Sequence, residues 1–194
     1  MHIVITRPEE ESFNLIERLK IEAEKTPADI LITVDAGNLW YANDKNLFEQ
    51  VESEVLNKNI PEHLKDPENY WFGFSIRART IIYNSKKLNP TMISSYEDLA
   101  TEKWKKKLVL RTSKKVYNQS LVAMFIALHG EAKTKEIIKG WVSNLAQKPY
   151  SSDTQVIKAV LNGVGDVGIV NTYYLGRLLK ENPELSVKLF WANQ

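Results

Sequence analysis

The apolar residues of this chain fall into two patterns that alternate along its length. Short unbroken blocks at residues 2–6, 28–34, 108–110 and 167–170 read as strands covered on both faces, since a strand exposed on one side would alternate apolar with polar positions. An aromatic block at 70–74, an extended stretch at 77–83 and a last block at 187–191 read as further strands. Between the blocks, apolar residues recur three and four apart. Pro8 opens a helix at its permitted first turn, with Phe13, Ile16, Leu19 and Ala23 on the buried face. A helix apolar nearly all round covers 121–128 and stops at Gly130, and an amphipathic one over 131–146 turns Ile137, Ile138, Trp141, Val142 and Leu145 inward. Asp153 caps a helix that reaches Asn162, and Leu175, Leu178 and Leu179 mark another. Short helical starts are expected at Leu39 and after Ser94-Ser95, whereas the polar stretch 43–69, with Pro61 and Pro67 as turn signals, is mostly loop. Strand, helix and strand in succession predict a right-handed crossover of parallel strands, and so an α/β fold.

The block at 167–170 runs into Asn171-Thr172, both helix-capping types, and then into Tyr173-Tyr174. Two phenols therefore sit at a strand-to-helix junction. Neighbours on a strand face opposite ways, but at a helix start they lie about 100° apart and can converge on one point. Phenolates are hard oxygen donors, and coordination displaces a proton whose ordinary pKa is about 10, so the pair suits a hard, highly charged cation such as ferric iron. Two readings stand open here: a ferric site, or one ring packed in a core while the other caps a surface. Arg77 and Arg79, spaced to share a strand face, make either an anion clamp or a solvated face. The loop 111–120 carries hydroxyls, Ser113 among them, together with Tyr117. Backbone amides and the positive end of the following helix dipole suit that loop to a carboxylate, carbonate or phosphate. Asp35, at the carboxyl end of the 28–34 block, is either the edge of a ligand site or a helix cap.

Composition narrows the classes. The 194 residues suffice for a sizeable core in one domain or two small lobes. With 43% hydrophobic and 26% charged residues, and no apolar run near the ~18 residues of a spanning helix, neither disorder nor membrane insertion is expected. The segment after Met1 lacks the long apolar region of a signal peptide. Net charge is only +2, and the lysines are interspersed with acids except around Trp104, which argues against a nucleic-acid partner. Absence of cysteine excludes disulfides, zinc–thiolate sites and cysteine nucleophiles. His2, His63 and His129 have no metal-ligand spacing, and no Ser/His/Asp or paired-carboxylate arrangement stands out, so nothing points to an enzyme.

Taken in order, Pro27-Ala28-Asp29-Ile30-Leu31-Ile32-Thr33-Val34-Asp35-Ala36-Gly37, Trp71-Phe72-Gly73, Arg77-Ala78-Arg79, Val116-Tyr117-Asn118-Gln119-Ser120-Leu121 and Asn171-Thr172-Tyr173-Tyr174-Leu175-Gly176-Arg177 resemble the ferric-ion-binding proteins of bacterial iron ABC transporters, nearly end to end. The resemblance implies a type II periplasmic-binding-protein fold with parallel-rich sheets flanked by helices: a partial first lobe and hinge strand over 1–83, a second lobe over 84–186 and a return hinge strand over 187–194. It implies that Tyr173, Tyr174 and Tyr117 ligate Fe³⁺ in an interlobe cleft, with Arg77 and Arg177 beside the metal. Ser113, Asn171 and Asp35 would surround the metal or a synergistic anion such as carbonate. Three phenolates neutralise a 3+ ion, and adjacent arginines favour ionised phenols and an added anion. Hinge closure would exclude water from the ligand. The implied partner is an ABC permease of the inner membrane, and the implied location is periplasmic or otherwise extracytoplasmic. Relatives begin with another strand and helix, whose end carries a His or His-Tyr ligand that His2 does not match, and they continue beyond Gln194. A chain truncated at both ends is the expectation, with a homodimer that completes the partial lobe as one corollary. The rival readings are a binding protein for an anion or small organic ligand, and a non-binding remnant.

Overall fold

The computed structural model describes residues 12–192, with side chains from residue 14 onward. The expected strand at 2–6, the helix opening at Pro8 and the Phe13 side chain lie outside the described residues. Two units are distinguished, Met1–Ile76 and Arg77–Gln194.

In the second unit the apolar block becomes β3, Val167–Asn171, buried at every position. It pairs in parallel with β2, Leu108–Val109, and antiparallel with β1, Arg79–Asn84; β4, Val187–Phe190, adds antiparallel to the far edge of β1. The order is β2-β3-β1-β4. Thus β2, β3 and β4 point one way, as crossover connections through helices dictate. The sheet is nevertheless mixed rather than parallel-rich, because β1 runs against its neighbours and is inserted between β3 and β4. Alternation along the strands divides the core: Ile81, Tyr83, Val167 and Ile169 face one layer with Leu121, Phe125, Ile137 and Trp141, while Ile82 and Val170 face another with Val156, Val160 and Leu175.

The first layer is supplied by α4, Val116–Ser143, and the second by α5, Asp153–Leu161, and α6, Thr172–Glu181. Gly130 breaks α4 with φ 76° and ψ 165°, a left-handed backbone that residues with a Cβ adopt only under strain. At Gly168 the requirement is space, since a Cβ there would lie 2.8 Å from Val156 Cγ1 and 2.9 Å from the Val109 carbonyl oxygen. Val142, expected inward, is 60% exposed, because the arm after Gly130 turns Ile137 and Trp141 to the core instead. Asp153 is not the cap of α5. Ser152 holds that place, with Gln155 completing a reciprocal capping box, and Asp153 is drawn into the interior by a charge partner.

That partner is Arg79. Its Nη1 donates to Asp153 Oδ2 at 3.0 Å and to Asn171 Oδ1 at 3.1 Å; its Nη2 donates to Asn118 Oδ1 at 2.7 Å and to the Ile169 carbonyl at 3.2 Å. Asp153 Oδ2 also accepts the Asn171 backbone N–H. One guanidinium thereby joins β1, β3 and the first turns of α4 and α5. The side chains of Arg79 and Asp153 are 8% and 0% exposed.

In the first unit, α1, Ser12–Glu22, buries Ile16, and α2, Ala36–Asp44, buries Ala42; the Tyr41 hydroxyl donates to Glu17, and the Lys20 ammonium pairs with the same carboxylate. Ala23, expected on the buried face of the first helix, is exposed at a 3₁₀ turn. Ser53 caps the short α3, Glu54–Asn59. The block at 28–34 forms no strand, and Ile30 and Ile32 are exposed: a strand needs a hydrogen-bonding neighbour, and no described segment of this unit offers one. The aromatic block at 70–74 likewise makes a single bridge, Phe72 to Lys65. No helix among the described residues is long and apolar enough to cross a membrane.

Two outcomes follow. Asp153→Ala strips the carboxylate from two buried guanidiniums and should cost about 3–5 kcal/mol in urea unfolding; Glu102→Ala, which removes the 93% exposed acid of a 4.0 Å surface pair, should change stability by less than about 0.5 kcal/mol. The hydroxyl of half-buried Tyr96 donates to the Arg79 carbonyl at 2.7 Å, and burial pushes its pKa above the ordinary tyrosine range. Above the unfolded pKa of about 10 the unfolded chain gives up a proton that the folded chain keeps, so this contribution is complete below that pH and is lost as pH rises through the folded value. Unfolding midpoints measured in an alkaline series should fall less steeply for Tyr96→Phe than for the parent.

Candidate metal centre

Apart from Asp35, the residues singled out from the sequence lie in the second unit, around one end of its sheet. β3 ends at Asn171, which faces Arg79 across the β1–β3 ladder, and α6 begins at the next residue. Asn171 is the N-cap by position only: its side-chain oxygen is taken by Arg79 and its N–H by Asp153. With that junction pinned from two sides, Tyr173 and Tyr174 fall in the first turn of α6. Their ring centroids are 4.3 Å apart and the planes are tilted by 30°. Both rings are half-buried, and that of Tyr174 packs against the core layer of Val156, Val160 and Leu175.

Tyr117 stands in the first turn of α4, held by its neighbour. Asn118 accepts from Arg79 and donates to the carbonyls of Arg111 and Thr112, which folds the loop after β2 back onto the helix start. The Arg111 guanidinium lies 5.3 Å from the Tyr117 ring centroid, and its charge lowers the pKa of the Tyr174 hydroxyl. Arg111 is thus shared by the tyrosine of α4 and a tyrosine of α6. Ser113 is exposed on the same loop, its carbonyl receiving the Gln119 side chain.

Cations line the tyrosines. The Arg177 guanidinium is 5.3 Å from the Tyr173 ring and 5.9 Å from that of Tyr174, and Arg77 is 5.6 Å from Tyr173. The expected arginine clamp on one strand face is not formed: β1 starts only at Arg79, whose side chain turns into the Asp153 network, while Arg77 precedes the strand and remains exposed. Asp35 belongs to the first unit, where it caps α2 by accepting the Gly37 N–H at 3.0 Å from a backbone with φ 74°. His129 pairs with Glu97 at 2.9 Å and stacks on Phe125.

Burial raises the Tyr174 pKa above the usual tyrosine range, the adjacent Tyr173 hydroxyl adds to the rise, and Arg111 opposes it. Among the described residues no group of three or more His, Cys, Asp or Glu side chains is arranged to hold a metal; the tyrosine oxygens are hard donors. Sequence reasoning missed Arg111 and the Asp153–Arg79–Asn118 network. Their only trace is position, at the ends of elements flanking the tyrosines, because long-range pairing leaves no periodicity in a sequence.

Residues 25–194 match the model of a family described as bacterial extracellular solute-binding protein. Iron uptake protein A1 of Synechocystis sp. is 46% identical over 186 residues, which is 93% of this chain and 52% of the relative, so the chain spans about half of that protein's length. A Trichodesmium protein (IdiA, FutA) solved in complex with iron and citrate ligands has a TM-score of 0.89 at 46% identity, covering 95% of this chain and 60% of that one. The ferric binding protein from Campylobacter jejuni has a TM-score of 0.93 at 34% identity, covering 99% and 63%. The α/β fold is that of the type II periplasmic binding proteins, built here in part. With the family model matched over 25–194 and these relatives alongside, the chain belongs to the bacterial extracellular solute-binding protein family.

Proposed function

We propose that this chain binds ferric iron through the phenolates of Tyr117, Tyr173 and Tyr174, as the substrate-binding component of an ABC uptake system. The observation that carries the reading is the pair of tyrosine rings 4.3 Å apart at the start of α6, edged by arginines, in a chain similar to proteins named for iron uptake and ferric binding. Three phenolates balance a 3+ charge, and each phenol that binds gives up its proton, so acid competes with loading. Arg77 and Arg177 leave a surplus of positive charge at the ring faces, which suits a synergistic anion such as carbonate, with the exposed Ser113 hydroxyl as a further donor. Asn171 acts through its bond to Arg79. The chemistry is reversible binding rather than catalysis. It operates in an extracytoplasmic, periplasmic space, with delivery to a membrane permease.

An aromatic cage for a small organic cation fits less well, because arginines already cover the rings of Tyr173 and Tyr174. Titration of metal-free protein with chelated ferric iron, with and without carbonate, tests the reading. A visible tyrosinate-to-iron charge-transfer band should appear in the parent and disappear in the Tyr173→Phe/Tyr174→Phe double variant, with far-ultraviolet circular dichroism unchanged. A folded parent that develops no band, or a double variant that keeps it, would overturn the assignment.

A further inference from the structure

Arg111 is buried in a way that fold stability does not explain. Its side chain is 9% exposed, and its Nε and Nη1 are buried without a hydrogen-bond partner. The nearest carboxylate oxygen, Asp153 Oδ2, is 3.8 Å from Nη1 and already accepts Arg79 at 3.0 Å and the Asn171 N–H at 3.2 Å. Two guanidiniums therefore share one carboxylate, leaving a surplus positive charge and orphaned donors in the interior. Both are unfavourable for a folded chain.

What Arg111 does touch is functional in the ferric reading. One planar fork meets the face of Tyr117 on α4, 5.3 Å from its ring centroid, and its charge acts on the Tyr174 hydroxyl on α6. Arginine suits such a bracket, since the guanidinium stacks on a ring with its face while donating from its edge, and a lysine ammonium cannot do both. Arg79 acts on the two helix starts through the side-chain oxygens of Asn118 and Asn171, one residue away from a tyrosine in α4 and two in α6. Arg111 works at the tyrosine side chains themselves.

We propose that Arg111 is a positioning residue for the tyrosine site, holding Tyr117 and Tyr174 in register for one shared cation at the expense of the cargo-free fold. The inference rests on the ferric reading, and two variants of the full chain separate them. Arg111→Met keeps the stem and removes the donors; Arg111→Lys keeps the charge and removes the fork. Both should leave the metal-free unfolding midpoint equal to or above the parent's, because Asp153 retains Arg79. Both should weaken ferric binding, measured by competition with citrate, by about 10–100-fold, as is usual for groups that orient metal ligands, and should shift the charge-transfer maximum. In metal-free protein with ring-labelled tyrosine, the Tyr117 and Tyr174 resonances should move in both variants. Parent-like binding and unmoved tyrosine resonances would sink the proposal. So would a large drop in the midpoint of Arg111→Met with full recovery of stability and binding in Arg111→Lys, which is the signature of a structural charge. If the parent itself shows no band while the resonances still move, the ferric reading falls and the positioning role stands.

Discussion

A carboxylate cut off from water sets the terms for the second unit. Burying an ion costs several kcal/mol unless it is paired and hydrogen-bonded, and Asp153 meets that demand with Arg79 and the Asn171 N–H. Each partner comes from a different element, so satisfying one charge fixes several elements at once. β1 must lie beside β3 in the register that sets Arg79 opposite Asn171, and α5 must start where its first residue reaches them. The insertion of β1 between parallel strands, which makes the sheet mixed, serves the same pairing.

The site inherits its geometry from that constraint. Asn171 is held through both its backbone and its side chain, so α6 leaves the strand in one direction and carries Tyr173 and Tyr174 with it. Asn118, gripped by Arg79 and by the loop carbonyls, does the same for Tyr117 at the start of α4. These tyrosines differ from the others of the unit. Tyr83 is built into the core and Tyr96 spends its hydroxyl on the Arg79 carbonyl, whereas Tyr117, Tyr173 and Tyr174 lie half-buried against guanidiniums. Arginines facing phenols are not needed to hold a core together. They make sense where negative charge is to be gathered.

In the proposed site, stability and binding would draw on separate arginines. Arg79 is fully engaged apart from its Nε and bonds three other elements, β3, α4 and α5. Arg77 and Arg177 lie at the exposed edge, where water screens them and an anion can displace it. Arg111 lies between these extremes, buried yet short of partners, as groups kept for function often are.

Local patterns were legible in the sequence where local physics decides the outcome. The unbroken apolar run became β3, the capping residues and spaced leucines after it became α6, Gly130 ended a helical stretch, and the tyrosine pair landed at a helix start where adjacent rings converge. Each depends on neighbours within a turn or two of the chain. Apart from the facing of Ala23 and Val142, the readings that failed depended on a partner far away in sequence. The 28–34 block is as apolar as a strand but has no described neighbour to pair with, and Asp153 looked like a cap until Arg79, 74 residues earlier, claimed it. Arg77 and Arg79 looked like twins on a strand face, yet one fills the interior and the other stays outside. Sequence determined the helices and strands whose pattern is local and which side chains are candidates for the chemistry. Tertiary structure decided which of them meet, because burying a charge forces a specific long-range partner and periodicity does not record one.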